Sequence, residues 1–143
     1  MIVYLDASAL VKRYLEEAGS DEVYRLFEGA EVLGTSLVTR AEVSAAFARA
    51  ARLDAVSEEQ ALSARKDFEA DWPDFARLRI DELTVAQAGR LAWEHALTGI
   101  DALHLASALL WREALGEPVQ MATYDEKLKE GAQASQLTIW PEA

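Results

Sequence analysis

The chain has 143 residues, 51% hydrophobic and 27% charged, with a formal net charge of −11. That length and balance fit a single globular domain, residues 1–143, and no apolar run approaches the ~20 residues a membrane helix requires. There is no cysteine, so disulfides, thiolate metal sites and cysteine nucleophiles are excluded. No basic leader with a cleavage site precedes the first apolar run, so the expected compartment is the cytoplasm and no membrane association is expected. The excess of acid argues against a broad phosphate-binding face, although an acidic cleft filled with cations still accepts a phosphodiester.

Ile2–Leu5 reads as a buried strand, and Leu10, Val11, Tyr14 and Leu15 form the apolar face of a helix directly behind it. A second helix is predicted over Ser20–Phe27. Val32–Thr35 gives a short strand leading into an Ala-rich helix from Thr39 to about Arg52. Ser57-Glu58-Glu59-Gln60 has the form of a capping box. It opens a helix that carries Ala61, Ala64, Phe68 and Trp72 on one side and ends before Pro73. Leu78–Leu83 is the expected third strand, and Thr84-x-x-Gln87 is expected to cap the next helix, which stops near Gly99. From Ile100 to Leu110 the only polar groups after Asp101 are His104 and Ser107, the composition of a buried helix. Val119–Thr123 and Leu137–Trp140 supply the last two strands, with a short helix between them. Strands alternating with helices predict an α/β fold around a mainly parallel sheet.

Four acids stand out by position. Each has a structural role available, since acids and hydroxyls are favoured at helix N-caps and in first turns. Thr39-x-x-Glu42 is a formal capping box, Thr98-x-x-Asp101 has the same shape, and Asp6 and Asp125 lie where N-caps belong. In open α/β sheets, however, ligands bind beyond the carboxyl ends of the strands, where helices begin. Asp6 follows the first strand, Asp125 follows the fourth, Glu42 lies near the start of the helix after the second, and Asp101 opens the buried helix. Converging carboxylates repel, and either a shared proton or a hard divalent cation, Mg²⁺ or Mn²⁺, relieves them. Such a cation suits phosphate chemistry by polarising phosphoryl oxygens and lowering the pKa of a bound water.

Four motifs resemble those of the PIN-domain ribonucleases, specifically the VapC toxins of VapBC toxin–antitoxin pairs. They are Ile2-Val-Tyr-Leu-Asp6-Ala-Ser8, Thr39-Arg-Ala-Glu42-Val, Gly99-Ile-Asp101-Ala-Leu-His104-Leu-Ala and Ala122-Thr123-Tyr-Asp125. They occur in the family's order and span nearly the whole chain. The resemblance implies a PIN-like domain, a five-stranded sheet flanked by helices. It also implies Mg²⁺- or Mn²⁺-dependent hydrolysis of RNA by an activated water. By the same resemblance Asp6, Asp101 and Asp125 hold metal, and Glu42 binds it through water or orients the nucleophile. The hydroxyls of Ser8 and Thr123 support these carboxylates. The expected partners are an RNA substrate, a cognate antitoxin and a second copy of the chain.

Lys12, Arg13, Arg40 and Arg49 lie on segments that start at the expected site and are the candidates for RNA phosphate contact. His104 is expected as a buried, hydrogen-bonded imidazole, and His95 as structural. Trp72, Trp93, Trp111 and Trp140 are expected in the core or at interfaces. Two rival functions are a phosphatase built on Asp6 and a catalytically silent PIN-like binding module. The first usually has a second acid two residues on, where this chain has Ser8. The second has no need to hold repelling carboxylates together.

Overall fold

A computed structural model describes residues 1–142. The chain forms a five-stranded sheet of β1 (Ile2–Leu5), β2 (Val32–Ser36), β3 (Ala76–Leu78), β4 (Val119–Ala122) and β5 (Thr138–Trp140). The spatial order is β3-β2-β1-β4-β5 and every pair is parallel, so the sheet is wholly rather than mainly parallel. Flanking it are α1 (Ala7–Tyr14), α2 (Ser20–Gly29), α3 (Val38–Arg52), α4 (Glu58–Asp71), α5 (Glu82–His95), α6 (Gly99–Leu115) and α7 (Glu126–Ala134). No helix among the described residues is long and apolar enough to cross a membrane.

Side chains alternate across a strand, so β1 feeds two separate cores. Val3 and Leu5 pack with Leu10, Val43, Phe47 and Phe68 against α1, α3 and α4. Tyr4 points the other way, into a cluster with Leu91, Leu105, Met121 and Leu128 from α5, α6, β4 and α7. The chain winds from β1 outward to β3, then crosses back to place β4 on the other side of β1. Connections leaving β1 and β4 therefore diverge, and their carboxyl ends border the crevice where open α/β sheets bind ligands.

Four local expectations need correction. The third strand is Ala76–Leu78, not Leu78–Leu83. Its ladder stops at Ser36↔Leu78 because Asp81 Oδ1 accepts hydrogen bonds from the Thr84 amide at 2.9 Å and the Thr84 hydroxyl at 2.8 Å, starting α5 at once. Asp81, rather than the Thr84–Gln87 pair, is thus the N-cap, and a local side-chain bond prevails over β propensity. Helix α5 ends at His95, and Gly99 opens α6 behind the N-cap Thr98. Thr39 does not cap α3: it lies inside that helix, accepting a 2.7 Å bond from the Thr35 hydroxyl. The Ser57–Gln60 capping box forms as expected. Trp72 and Trp111 are buried, whereas Trp93 is 91% exposed and outside the core.

Helix α6 lies close over the sheet because Gly34 leaves room for Trp111; a Cβ there would overlap the indole ring. Gly34→Ala should therefore destabilise the protein by about 1–3 kcal/mol through overpacking, read from the urea midpoint. An unchanged midpoint would show that the ring is free to move aside.

Candidate functional site

Asp6 ends β1 and caps α1, and only 4% of its surface is exposed. Three donors satisfy its carboxylate: Ser8 Oγ at 2.7 Å and the Ala9 amide at 3.1 Å on Oδ1, and Thr123 Oγ1 at 2.6 Å on Oδ2. Each hydroxyl has a single proton, and both are committed to Asp6. Their lone pairs are used as well, since Ser8 Oγ accepts from the Tyr124 amide at 2.9 Å and Thr123 Oγ1 from the Asp125 amide at 3.0 Å. A backbone amide, a hydroxyl and a carboxylate thus form two parallel relays that join the carboxyl ends of β1 and β4. The Asp6 amide adds a 3.2 Å bond to the Ala122 carbonyl.

Asp125 caps α7 with Oδ1 on the Leu128 amide at 2.9 Å. Asp101 sits in the first turn of α6, its amide bonded to Thr98 Oγ1 at 3.2 Å. Desolvation raises the Asp101 carboxyl above the ordinary carboxylate range, and the negative charges of Asp125 and then Asp6 add to this. Burial also raises Asp6, while His104 and the three donors pull it back. Asp6, Asp101 and Asp125 therefore share one electrostatic neighbourhood. Among the described residues, no lysine or arginine forms an ion pair with any of them.

Glu42 lies one turn into α3 and reaches the same neighbourhood by another route. Its Oε1 is 2.6 Å from His104 Nε2, and His104 Nδ1 is 2.7 Å from the Tyr4 hydroxyl. His104 is the buried, hydrogen-bonded imidazole expected from the sequence, but its link to Glu42 was not foreseen. The available signals were a tyrosine in an otherwise aliphatic strand and the polar pair His104 and Ser107 on an apolar helix. Buried Tyr and His need partners.

The basic candidates are placed less favourably. Lys12 Nζ donates to Glu17 Oε1 at 3.2 Å and to the Ala18 carbonyl at 2.7 Å. Arg13 stacks beside Tyr24 and Phe27, each at 5.3 Å. Arg49 stands in the last turn of α3, the end away from the acids. Arg40, in the first turn of α3 and 5.9 Å from the Trp72 ring, is exposed and forms no ion pair among the described residues.

Among the described residues, no three His, Asp or Glu side chains are grouped closely enough to hold a metal ion between them. Mg²⁺ does not require such a group, because it keeps several waters and binds through one or two carboxylates. Oxygen donors carrying uncompensated negative charge fit such an ion.

A family model described as the PIN domain matches residues 3–133. The chain is 38% identical over 141 residues to ribonuclease VapC49 of Mycobacterium tuberculosis, covering 98% of this chain and 95% of that one. Its structure resembles FitAcB from Neisseria gonorrhoeae, with a TM-score of 0.73 and 16% identity, covering 99% of this chain and 98% of that one. It also resembles a toxin–antitoxin complex from Klebsiella pneumoniae, with a TM-score of 0.62 and 19% identity, covering 86% of each chain. The chain belongs to the PIN-domain family. Within it, the full-length likeness to VapC49 makes it a VapC-like member.

Because desolvation, and then the charges of Asp125 and Asp6, hold the Asp101 carboxyl above its ordinary range, the folded, metal-free chain binds more protons there than the unfolded chain over the pH range between the two pKa values. The contribution to stability is full below the unfolded pKa and is lost as pH rises through the folded one. Asp101→Asn removes that loss. In a chelator, its melting temperature minus that of the wild type should grow between about pH 4 and about pH 8; a difference that stays flat would mean Asp101 is not under strain.

Proposed function

We propose that the chain is an endoribonuclease that hydrolyses RNA phosphodiester bonds with Mg²⁺ or Mn²⁺, and that it is the toxin of a type II toxin–antitoxin pair. The observation that carries this reading is the strain on Asp101 from Asp125 and Asp6, with no basic side chain to relieve it, at the crevice of a PIN fold. The relative VapC49, named a ribonuclease, supports the same reaction class.

In this reading Asp6, Asp101 and Asp125 hold the divalent ion, which supplies Lewis-acid activation of a phosphoryl oxygen and of a water. Ser8 and Thr123 orient Asp6 and, by donating to it, favour its ionised form. Glu42 has one oxygen fixed by His104; the other, Oε2, accepts a hydrogen bond from the attacking water and orients it toward phosphorus. Arg40 is the best placed of the basic residues to contact the RNA backbone, ahead of Lys12, Arg13 and Arg49. A cognate antitoxin is the expected partner, as the similarity to a toxin–antitoxin complex supports, and the working form is a homodimer in the cytoplasm.

Asp101→Asn should lower cleavage of a mixed-sequence single-stranded RNA by about 100-fold or more, the scale of losing a group that stabilises transition-state charge. Wild-type rates in Asp101→Asn would remove the site assignment. Millimolar Mg²⁺ or Mn²⁺ should raise the wild-type melting temperature by mass action, and Asp6→Asn should blunt the rise. No shift with either ion would contradict metal binding at these acids.

A further inference from the structure

We propose that His104 is a positioning residue for Glu42: its Nε2–H holds one carboxylate oxygen in a fixed place, while the buried Tyr4 hydroxyl holds the imidazole in the tautomer this requires. The inference rests on the ribonuclease reading and adds to it two residues outside the four acids.

The proton count settles the direction of the chain. Tyr4 is fully buried, and a phenol, with an ordinary pKa near 10, carries its proton at neutral pH. Its hydroxyl lies 2.7 Å from His104 Nδ1. Donation to Nδ1 makes that nitrogen the acceptor and leaves the imidazole proton on Nε2, facing Glu42 Oε1 at 2.6 Å. Two protons satisfy two bonds among three groups, and no extra charge is needed. The assignment follows from the partners rather than from observed hydrogens.

The arrangement has a cost that packing alone does not explain. His104 is 1% exposed in a helix otherwise lined by Leu103, Leu105 and Ala106. Beside this relay, one turn further along α6, the Ser107 hydroxyl is buried without a partner. Burying polar groups is unfavourable, and an apolar pair of similar volume would fill this space at lower cost. What the polar pair achieves is contact with one carboxylate at the rim, where the Glu42 side chain is 28% exposed. A glutamate has three side-chain torsions, and unrestrained at that exposure it would sample several positions. The 2.6 Å bond to a core residue restrains that freedom through Oε1 and leaves Oε2 without a hydrogen-bond partner among the described residues. Asp6, Asp101 and Asp125 have no comparable anchor in the core beneath α6. Fixing an outer carboxylate through a histidine braced by a second donor is the same physical device that orients metal-site ligands.

The test compares His104→Gln, whose side-chain amide can still donate toward Glu42, with His104→Leu, which cannot. Cleavage of a mixed-sequence single-stranded RNA is measured with Mn²⁺ or Mg²⁺. His104→Leu should lower kcat roughly 10–100-fold with KM and the metal-induced melting shift unchanged, and His104→Gln should recover most of the loss. In a Glu42→Gln background, His104→Leu should have little further effect, because the two act as a unit. Wild-type kcat in His104→Leu, or losses that multiply in the double variant, would overturn the proposal. If His104→Leu does not fold, nitrogen NMR of the intact wild type decides. An imidazole protonated at Nε2, whose Nε2 resonance moves in Glu42→Gln, is the expected result; a proton on Nδ1 alone would refute it. Failure of the wild type to cleave RNA with either ion would instead refute the ribonuclease reading, so the two failures are distinguishable.

Discussion

The bond on which the molecule depends is the one from Thr123 to Asp6. It is a short contact between the ends of two adjacent parallel strands, inside a region that excludes water, and it holds a group that burial would otherwise neutralise. Without donors, an ionised carboxylate in that position is unfavourable by several kcal/mol. The Ser8 and Thr123 hydroxyls and the Ala9 amide satisfy it, and the same hydroxyls accept the amides of Tyr124 and Asp125. Tying Asp6 down therefore also fixes where the next acid leaves the sheet. Fold and site share these atoms.

The site is consequently a product of topology more than of any local motif. Asp6 and Asp125 cap their helices and Asp101 sits in the first turn of its own, where helix dipoles favour negative charge. That stabilisation is shared among groups that repel one another, and Asp101 shows the net result, a carboxyl pushed upward by desolvation and then by the charges of Asp125 and Asp6. Glu42 stands apart. It is steadied by the His104 imidazole in the core, not by a cap, through one of its two oxygens.

Much of this was legible in the sequence, for identifiable reasons. The helices over 38–52, 58–71 and 99–115 follow from apolar periodicity and local signals, and Asp6 and Asp125 were singled out because the first directly follows a strand run and the second lies just beyond one. The third strand was misplaced because Leu78, Ile80 and Leu83 look like a buried strand, while the Asp81 cap that cuts it short leaves Ile80 and Leu83 exposed. The link from His104 to Glu42 joins residues 62 positions apart on different helices. No spacing rule reports such a contact; only the presence of polar groups in apolar surroundings hinted that partners existed. The contacts of the basic residues were equally hidden. Proximity along the chain to the acids said nothing of Glu17, Ala18 or the aromatic rings that engage Lys12 and Arg13.

The alternation along β1 carries one more implication. Tyr4 braces the histidine side of the crevice, and Asp6, two positions on, anchors the opposite side, with Val3 and Leu5 seated in the other core. Sliding this four-residue strand by a single position would exchange its faces. The tyrosine would leave its imidazole at the same moment as the aspartate left its hydroxyls. No half-assembled species that keeps one arm of the crevice can persist with that strand misaligned.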